Sequence, residues 1–384
     1  MRAAAVVVGA CVALAMVVAG PGAGRAAVSA PNPGVVWVDR AGSSLSGVAT
    51  LHASGLNRGG PVVAGARVGD SAGTDWDLDW YVRRYALGGR VIWTKVWSPA
   101  GARAAASDVA APPLGPIYVG GRVGTLGELD GGSKWVVRQY ARGGRLEWSR
   151  SGGDRCAETN VTGVAADRSG AVVSGYCYRA SGTSTAWVRA FAADGRLRWA
   201  RDLRPPARAK RWVWALDVAL GGNGAVFVTG VVESGDNDPA GDLDAVVAKL
   251  RANDVGSIAW VRKLPEGMAL DRDVGRAVDV RQDAVVVLVW EPDAAKSALV
   301  VRMTRDGARL WSRSLGLDPR AVTVDGEGRS FVSGDGAVVG LTSAGVTRWR
   351  LPLHGDVRAV ETGNGGLYAA GSHADVGRAW RLTR

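Results

Sequence analysis

The chain has 384 residues, of which 47% are apolar and 55 are glycine, and its 47 basic and 36 acidic side chains give a formal charge of +11. So large an apolar share excludes a disordered or low-complexity chain. The positive charge is spread thinly, and its densest run, "RPPARAKRW" (Arg204–Trp212), lacks the interleaved planar side chains of a nucleic-acid surface, so no nucleic-acid partner is expected.

In chain order, residues 1–30 come first and read as an export signal. Arg2 supplies a short positive region, Ala3–Ala19 form an apolar run too short for a stable anchor, and Val28, Ser29 and Ala30 are small residues suited to cleavage before Pro31. The run "VGAC" ending at Cys11 gives a weaker lipoprotein reading. Removing the segment takes two arginines and no acid and lowers the charge from +11 to +9. No later stretch approaches eighteen apolar residues, so residues 31–384 are expected to form one exported domain without a membrane span. Only Cys156 and Cys177 then remain, an even pair in an oxidising setting. They form either a disulfide or two separate buried thiols.

"PGVVWVDRAG" places Trp37 in a strand with no hairpin partner beside it. Thereafter one phrase recurs: a tryptophan four residues after a turn glycine, at Trp93, Trp148, Trp199, Trp260, Trp311 and Trp349. A large apolar residue precedes most of them by eight positions: Tyr85, Tyr140, Phe191, Met303 and Leu341. The phrase reads as a hairpin, as in "AWVRAF", "AADG" and "RLRWARDL". Upstream of each lies a second pair of β-rich runs, such as "ALDVALGGNGAVFVTGVV". Each unit is therefore four antiparallel strands over about forty to sixty residues, the signature of a propeller blade. The last unit, "VRAVETGNGGLYAAGSHADVGRAWRLTR", stops after three strands, and the Trp37 strand supplies the fourth. The expectation is a seven-bladed, all-β propeller closed by its two termini.

Long charged segments fall on the face opposite the tight turns, where binding residues on a rigid scaffold are expected. "TDWDLD" offers Asp75, Trp76, Asp77 and Asp79. "RPPARAKRW" adds Arg208, Lys210 and Trp212, with Trp214 just beyond. "DNDPAGDLD" crowds Asp236, Asp238, Asp242 and Asp244, oxygen donors suited to Ca²⁺, although Ala240 stands where the calcium-loop pattern wants another oxygen ligand. His354 and His373 belong near the last blade and could pair as acid and base or as metal ligands. Trp135, Trp187 and Trp380 should be core.

The units resemble the bacterial seven-bladed β-propeller repeat and, more distantly, quinoprotein-like propellers. "GVAADRSGAVVSG" with "TAWVRAFAADGRLRW", and "VALGGNGAVFVTG" with "DAVVAKLRANDVGSIAW", carry the resemblance, which covers essentially the whole chain after residue 30. It implies a secreted or surface scaffold and supplies no shared catalytic residue. The expected function is non-enzymatic binding of an extracellular protein or glycan by a monomer. The alternative is a hydrolase or lyase using acid/base residues of the long-loop face; no nucleophile, zinc or phosphate motif marks one.

Overall fold

The computed structural model describes residues 35–383 except 41–43, 51–59, 69–77, 126–131, 204–208, 223, 235–242, 252–255, 265–272, 292–296, 364–365 and 374–375. Every regular element among the described residues is a β-strand, and every pairing is antiparallel. The first strand, β1 (Val35–Arg40), is set aside for the last sheet. The first sheet is β2 (Ser44–Thr50), β3 (Pro61–Val68), β4 (Leu78–Tyr85) and β5 (Val91–Trp97). The second is β6 (Ala102–Ala110), β7 (Ile117–Thr125), β8 (Lys134–Tyr140) and β9 (Leu146–Gly152). The third is β10 (Glu158–Asp167), β11 (Gly170–Tyr178), β12 (Ser184–Ala192) and β13 (Leu197–Asp202). The fourth is β14 (Ala209–Leu220), β15 (Val226–Ser234), β16 (Leu243–Arg251) and β17 (Ser257–Leu264). The fifth is β18 (Val274–Arg281), β19 (Ala284–Glu291), β20 (Ser297–Thr304) and β21 (Arg309–Leu315).

The sixth sheet corrects the expected blade number. It runs β1, β26 (Val376–Leu382), β25 (Gly366–His373), β24 (Thr347–Gly363), β23 (Ser330–Leu341) and β22 (Pro319–Val324), so the ring has six sheets instead of seven. The last two sequence units share this one sheet because β23 and β24, of 12 and 17 residues, each run through what the sequence divides into two strands. The connections there, Asp335–Gly336 and Leu353–Gly355, are too short to part the strands, and Asp335 pairs directly with Asp356.

Each sheet packs against the next, and the first against the last, which closes the ring. Inner and middle strands are pressed between neighbours on both faces and lose the alternation of a half-buried strand. Thus seven of the eight residues of β19 are buried, all but Trp290. Outer strands do the reverse: in β13 only Trp199 is buried. Closure comes from β1, whose Trp37 lies opposite Arg381 and Val38 opposite Trp380 on β26. Asp39 of the same strand accepts hydrogen bonds from Arg83 Nη1 and from the Tyr85 hydroxyl, each at 2.9 Å, and so ties the last sheet to the first.

The recurring phrase is an inter-sheet latch. The indole Nε1 of Trp93 donates to the Arg142 carbonyl at 2.9 Å, that of Trp148 to Ala193 at 3.1 Å, that of Trp260 to Arg305 at 3.2 Å and that of Trp311 to Ser343 at 2.9 Å. Each acceptor sits in the hairpin turn of the following unit. Gly144, Gly195, Gly256, Gly307 and Gly345 each lie under the preceding indole, and a Cβ on Gly195 would come within 2.7 Å of the Trp148 ring. Trp135, Trp187 and Trp380 are core, as expected.

Cys156, between β9 and β10, is disulfide-bonded to Cys177 on β11, with Cα atoms 5.4 Å apart. The alternative of two separate thiols is thereby removed.

Candidate functional site

The inner strands β2, β6, β10, β14, β18, β22 and the second half of β24 surround an axial channel. Six of them, β6, β10, β14, β18, β22 and β24, together with Ala111, Pro112 and Pro113 after β6, line a cavity of about 350 Å³. The inner strands run in the same direction along the channel, so equivalent positions form layers across it.

The middle layer is acidic. Asp108, Asp217, Asp279 and Glu361 occupy equivalent positions on β6, β14, β18 and β24 and line the cavity. Three of them fasten neighbouring strands. Asp108 accepts from the Val164 amide at 2.7 Å, Asp217 from Val278 at 2.8 Å and Asp279 from Val324 at 2.7 Å, in each case on the following inner strand. The other oxygen of Asp217 and of Asp279 accepts the amide next in sequence, Val218 or Val280, at 2.7 Å. Gly163 fits the same plan: a Cβ there would come within 2.7 Å of the Asp217 carboxylate. Burial pushes the Asp108 carboxyl up to about 7 against the pull of its two amide donors. Burial and the neighbouring Asp279 push Glu361 up to about 8, with Arg281 opposing, and burial together with Asp108 raises Asp217 well above the ordinary range. Asp108, Asp217 and Asp279 are committed to the backbone of the ring, and Glu361 faces Arg281 at 3.6 Å.

The layer at the long-loop mouth is made by a triplet that the sequence writes three times. Arg276-Ala277-Val278, Arg320-Ala321-Val322 and Arg358-Ala359-Val360 open β18, β22 and the second half of β24 and bring three arginines to the channel wall. Arg320 donates to Asp356 at 2.9 Å and pairs with Asp318 at 2.9 Å. Arg358 Nε lies 2.9 Å from the other Asp356 oxygen. Burial alone would raise Asp356, but the hydrogen bonds from Arg358 and Arg320 prevail and hold it below the usual carboxylate range. Arg276 differs from both. Its guanidinium stacks on Trp290, 4.4 Å from the ring centre, and its buried Nε has no hydrogen-bond partner. Burial and the nearby Arg320 lower its pKa, with Asp318 opposing. Trp290 and Trp214 belong to one apolar cluster with Val213, Val231 and Val274, and its Leu216 also lines the cavity.

Of the residues singled out from sequence, His354 and His373 come together on this face, both exposed, with ring centres 6.2 Å apart. Asp244 pairs with Lys263 at 2.5 Å, and Asp79 is buried against Arg67 at 3.3 Å. Lys210 and Trp212 fall on β14, with Trp212 opposite Val232, but their side chains lie outside the described residues. So do Asp75, Trp76, Asp77, Arg208, Asp236, Asp238 and Asp242. Among the described residues no group of three or more histidine, cysteine or carboxylate side chains is placed to hold a metal ion, and no helix is long and apolar enough to cross a membrane. Arg276 and Trp290 were missed from sequence, although the triplet repeated at one fixed distance before Asp279, Thr323 and Glu361 was a visible signal.

No protein-family model and no curated protein matches the sequence, so the bacterial repeat resemblance stands only as a β-propeller fold. Solved structures of similar fold include BamB from Moraxella catarrhalis, 15% identical over 88% of this chain and 83% of that one, with a TM-score of 0.44. A quinohemoprotein alcohol dehydrogenase from Pseudomonas putida HK5 is 12% identical over 89% and 76%, with a TM-score of 0.46. Chaetomium thermophilum Raptor is 13% identical over 91% of this chain and 28% of that one, with a TM-score of 0.54. This chain spans little more than a quarter of Raptor, and at such identity the likeness is one of fold alone.

Proposed function

We propose that the protein is an exported, non-enzymatic binding scaffold whose long-loop face takes up an extracellular partner. The observation that carries this reading is the contrast between the two faces of the ring. On the tight-turn face, backbone carbonyls of the hairpin turns are occupied by the indoles of the preceding unit, and Arg150 and Arg313 add bonds to the Gly195 and Gly345 carbonyls at 2.9 and 3.1 Å. That face is spent on holding the ring. On the long-loop face three arginines line the channel mouth, one of them stacked on Trp290, and two histidines lie exposed with ring centres 6.2 Å apart, a mixture of apolar area and orienting polar groups that suits recognition. The carboxyls that would serve acid/base chemistry are bonded to backbone amides or to arginines, which favours binding over hydrolysis. The disulfide supports an oxidising compartment, and with it the export reading of residues 1–30.

The test is a screen of the chain lacking residues 1–30 against extracellular proteins, glycans and cell-envelope fractions, with and without a chelator. A saturable partner, lost on substitution at the long-loop face and retained on substitution of Arg145 at the tight-turn face, is expected. Turnover of a small substrate without a stable partner would reverse the reading.

A further inference from the structure

Arg276 is the arginine of the channel mouth with no hydrogen bond or ion pair to a described residue, and this points to what the face binds. Its two counterparts are neutralised, Arg320 by Asp318 and Asp356 and Arg358 by Asp356. Asp318 attracts the half-buried guanidinium without hydrogen-bonding to it, so the buried Nε has lost hydration without gaining a hydrogen bond, and an anion that bonds to it recovers that loss. Stacking on Trp290 holds the planar group in one orientation, so the fork is set before a ligand arrives.

We infer that the long-loop mouth of the channel is a carboxylate-binding site, with Arg276 as the receiving group and a peptide segment of a partner protein as the ligand. This rests on the scaffold reading and narrows it. The charge around the site selects the ligand. Asp318, Asp335 and Asp356 all lie close enough to act on Arg320, so the mouth carries no large positive field and does not favour phosphates, sulfates or polyanions. A single guanidinium with no hydrogen bond to a described residue matches a single carboxylate, which it can grip through two parallel hydrogen bonds. Leu216 on the cavity wall and Trp290 under the guanidinium give apolar surface beside it for the aliphatic part of a peptide residue. The cavity of about 350 Å³ has room for an acidic side chain or a C-terminal residue, and the carboxyls Asp108, Asp217, Asp279 and Glu361 on the same wall confine the anionic group to the arginine layer.

The test uses the oxidised protein without residues 1–30 and follows the Arg276 Nε–Hε resonance, assigned by its loss in Arg276→Gln. Two probes present the carboxylate from its two sources: N-acetylglutamate α-amide for a side chain and N-acetylleucine for a chain end. N-acetylglutamine amide is the neutral control. Saturable shifts with one or both carboxylates and none with the control are expected. Calorimetry should show affinity falling at least about tenfold in Arg276→Gln, the loss of one charge-assisted pair, and unchanged in Arg145→Gln. Arg276→Lys, which keeps the charge but not the fork, should recover only part of it. An Nε–Hε resonance that does not move, equal movement of all exposed arginines, or tighter binding of inorganic phosphate or galacturonate would overturn the inference. If Arg276 is silent while the screen still yields a partner on the long-loop face, the scaffold reading survives and only this site falls.

Discussion

Trp148 and Gly195 belong to successive blades and act as a single latch: the indole lies over the glycine and donates to the Ala193 carbonyl two residues earlier, at 3.1 Å. Two constraints meet at Gly195. Its φ of +80° lies in the left-handed region that a side chain disfavours, and any Cβ would enter the Trp148 ring. Gly195→Ala is therefore expected to destabilise the protein by about 2–3 kcal/mol, backbone strain and overpacking together. Gly143→Ala, where a Cβ meets nothing within 4 Å, should be close to neutral. Urea unfolding of both variants checks this, and equal effects would show that the indole contact is not what demands glycine.

The disulfide spans 21 positions between the start of the third blade and its second strand. Closing a loop of that length restrains the unfolded chain by about 3 kcal/mol. Cys156→Ala combined with Cys177→Ala should therefore lose about that much, and reduced wild type should lose a similar amount. The measurement is chemical denaturation with and without reductant. Cys177 is buried and Cys156 is packed against the same core cluster, so the double variant must be read beside the reduced wild type to separate lost packing from lost restraint.

The hairpin phrase, the four-strand units and the closing role of the first strand were all legible, because tryptophan and glycine spacing reports the latch directly and a missing fourth strand has one complement in the chain. Sheet number was not. It depends on whether Asp335–Gly336 and Leu353–Gly355 separate strands or let them run on, a matter of three-dimensional pairing that turn composition does not encode. At the site, the acidic loop residues drew attention because oxygen-rich loops look like metal sites, whereas Arg276 sits on an inner strand and resembles ordinary decoration. Its significance comes from Trp290 on the neighbouring strand and from Arg320 on the next blade, contacts that only the closed ring creates.

Acid–base behaviour should follow from the channel. Glu361, at about 8 in the folded protein, and Asp108, at about 7, both lie above the values of an unfolded chain. A carboxyl raised by folding contributes stability that is present below its unfolded pKa and is lost as pH rises through the folded pKa. Asp356 is lowered and does the opposite: its contribution is present above the unfolded pKa and lost on acidification through the folded one. Stability should thus decline from about pH 5 to about pH 9 and also fall in strong acid. Glu361→Gln should flatten the alkaline decline with little loss near pH 5. Melting temperatures across this range decide it, and a Glu361→Gln profile parallel to wild type would show that the channel carboxyls do not set the slope.

Ring closure makes the last prediction. Asp39 on β1 is the shared acceptor of Arg83 and of the fully buried Tyr85 on β4, so it joins the sheet that ends the ring to the one that begins it. Burial and the Asp39 carboxylate raise the Tyr85 hydroxyl well above its ordinary value, so it stays protonated and donates. Asp39→Ala removes an acceptor that two donors share and is expected to cost about 2 kcal/mol, the scale of hydrogen bonds to a charged group. Tyr85→Phe alone should cost less. The double variant should cost less than the two losses added, because both remove the same bond. Denaturant unfolding of the three proteins gives this coupling directly, and strictly additive losses would mean that the seam is held by the β1–β26 pairing alone. Removing residues through Arg40 is the stronger perturbation: it strips the partner from β26 and leaves an open sheet edge. An unprotected edge recruits another strand, so the truncated protein should self-associate in light scattering at concentrations where the Asp39→Ala protein stays dispersed.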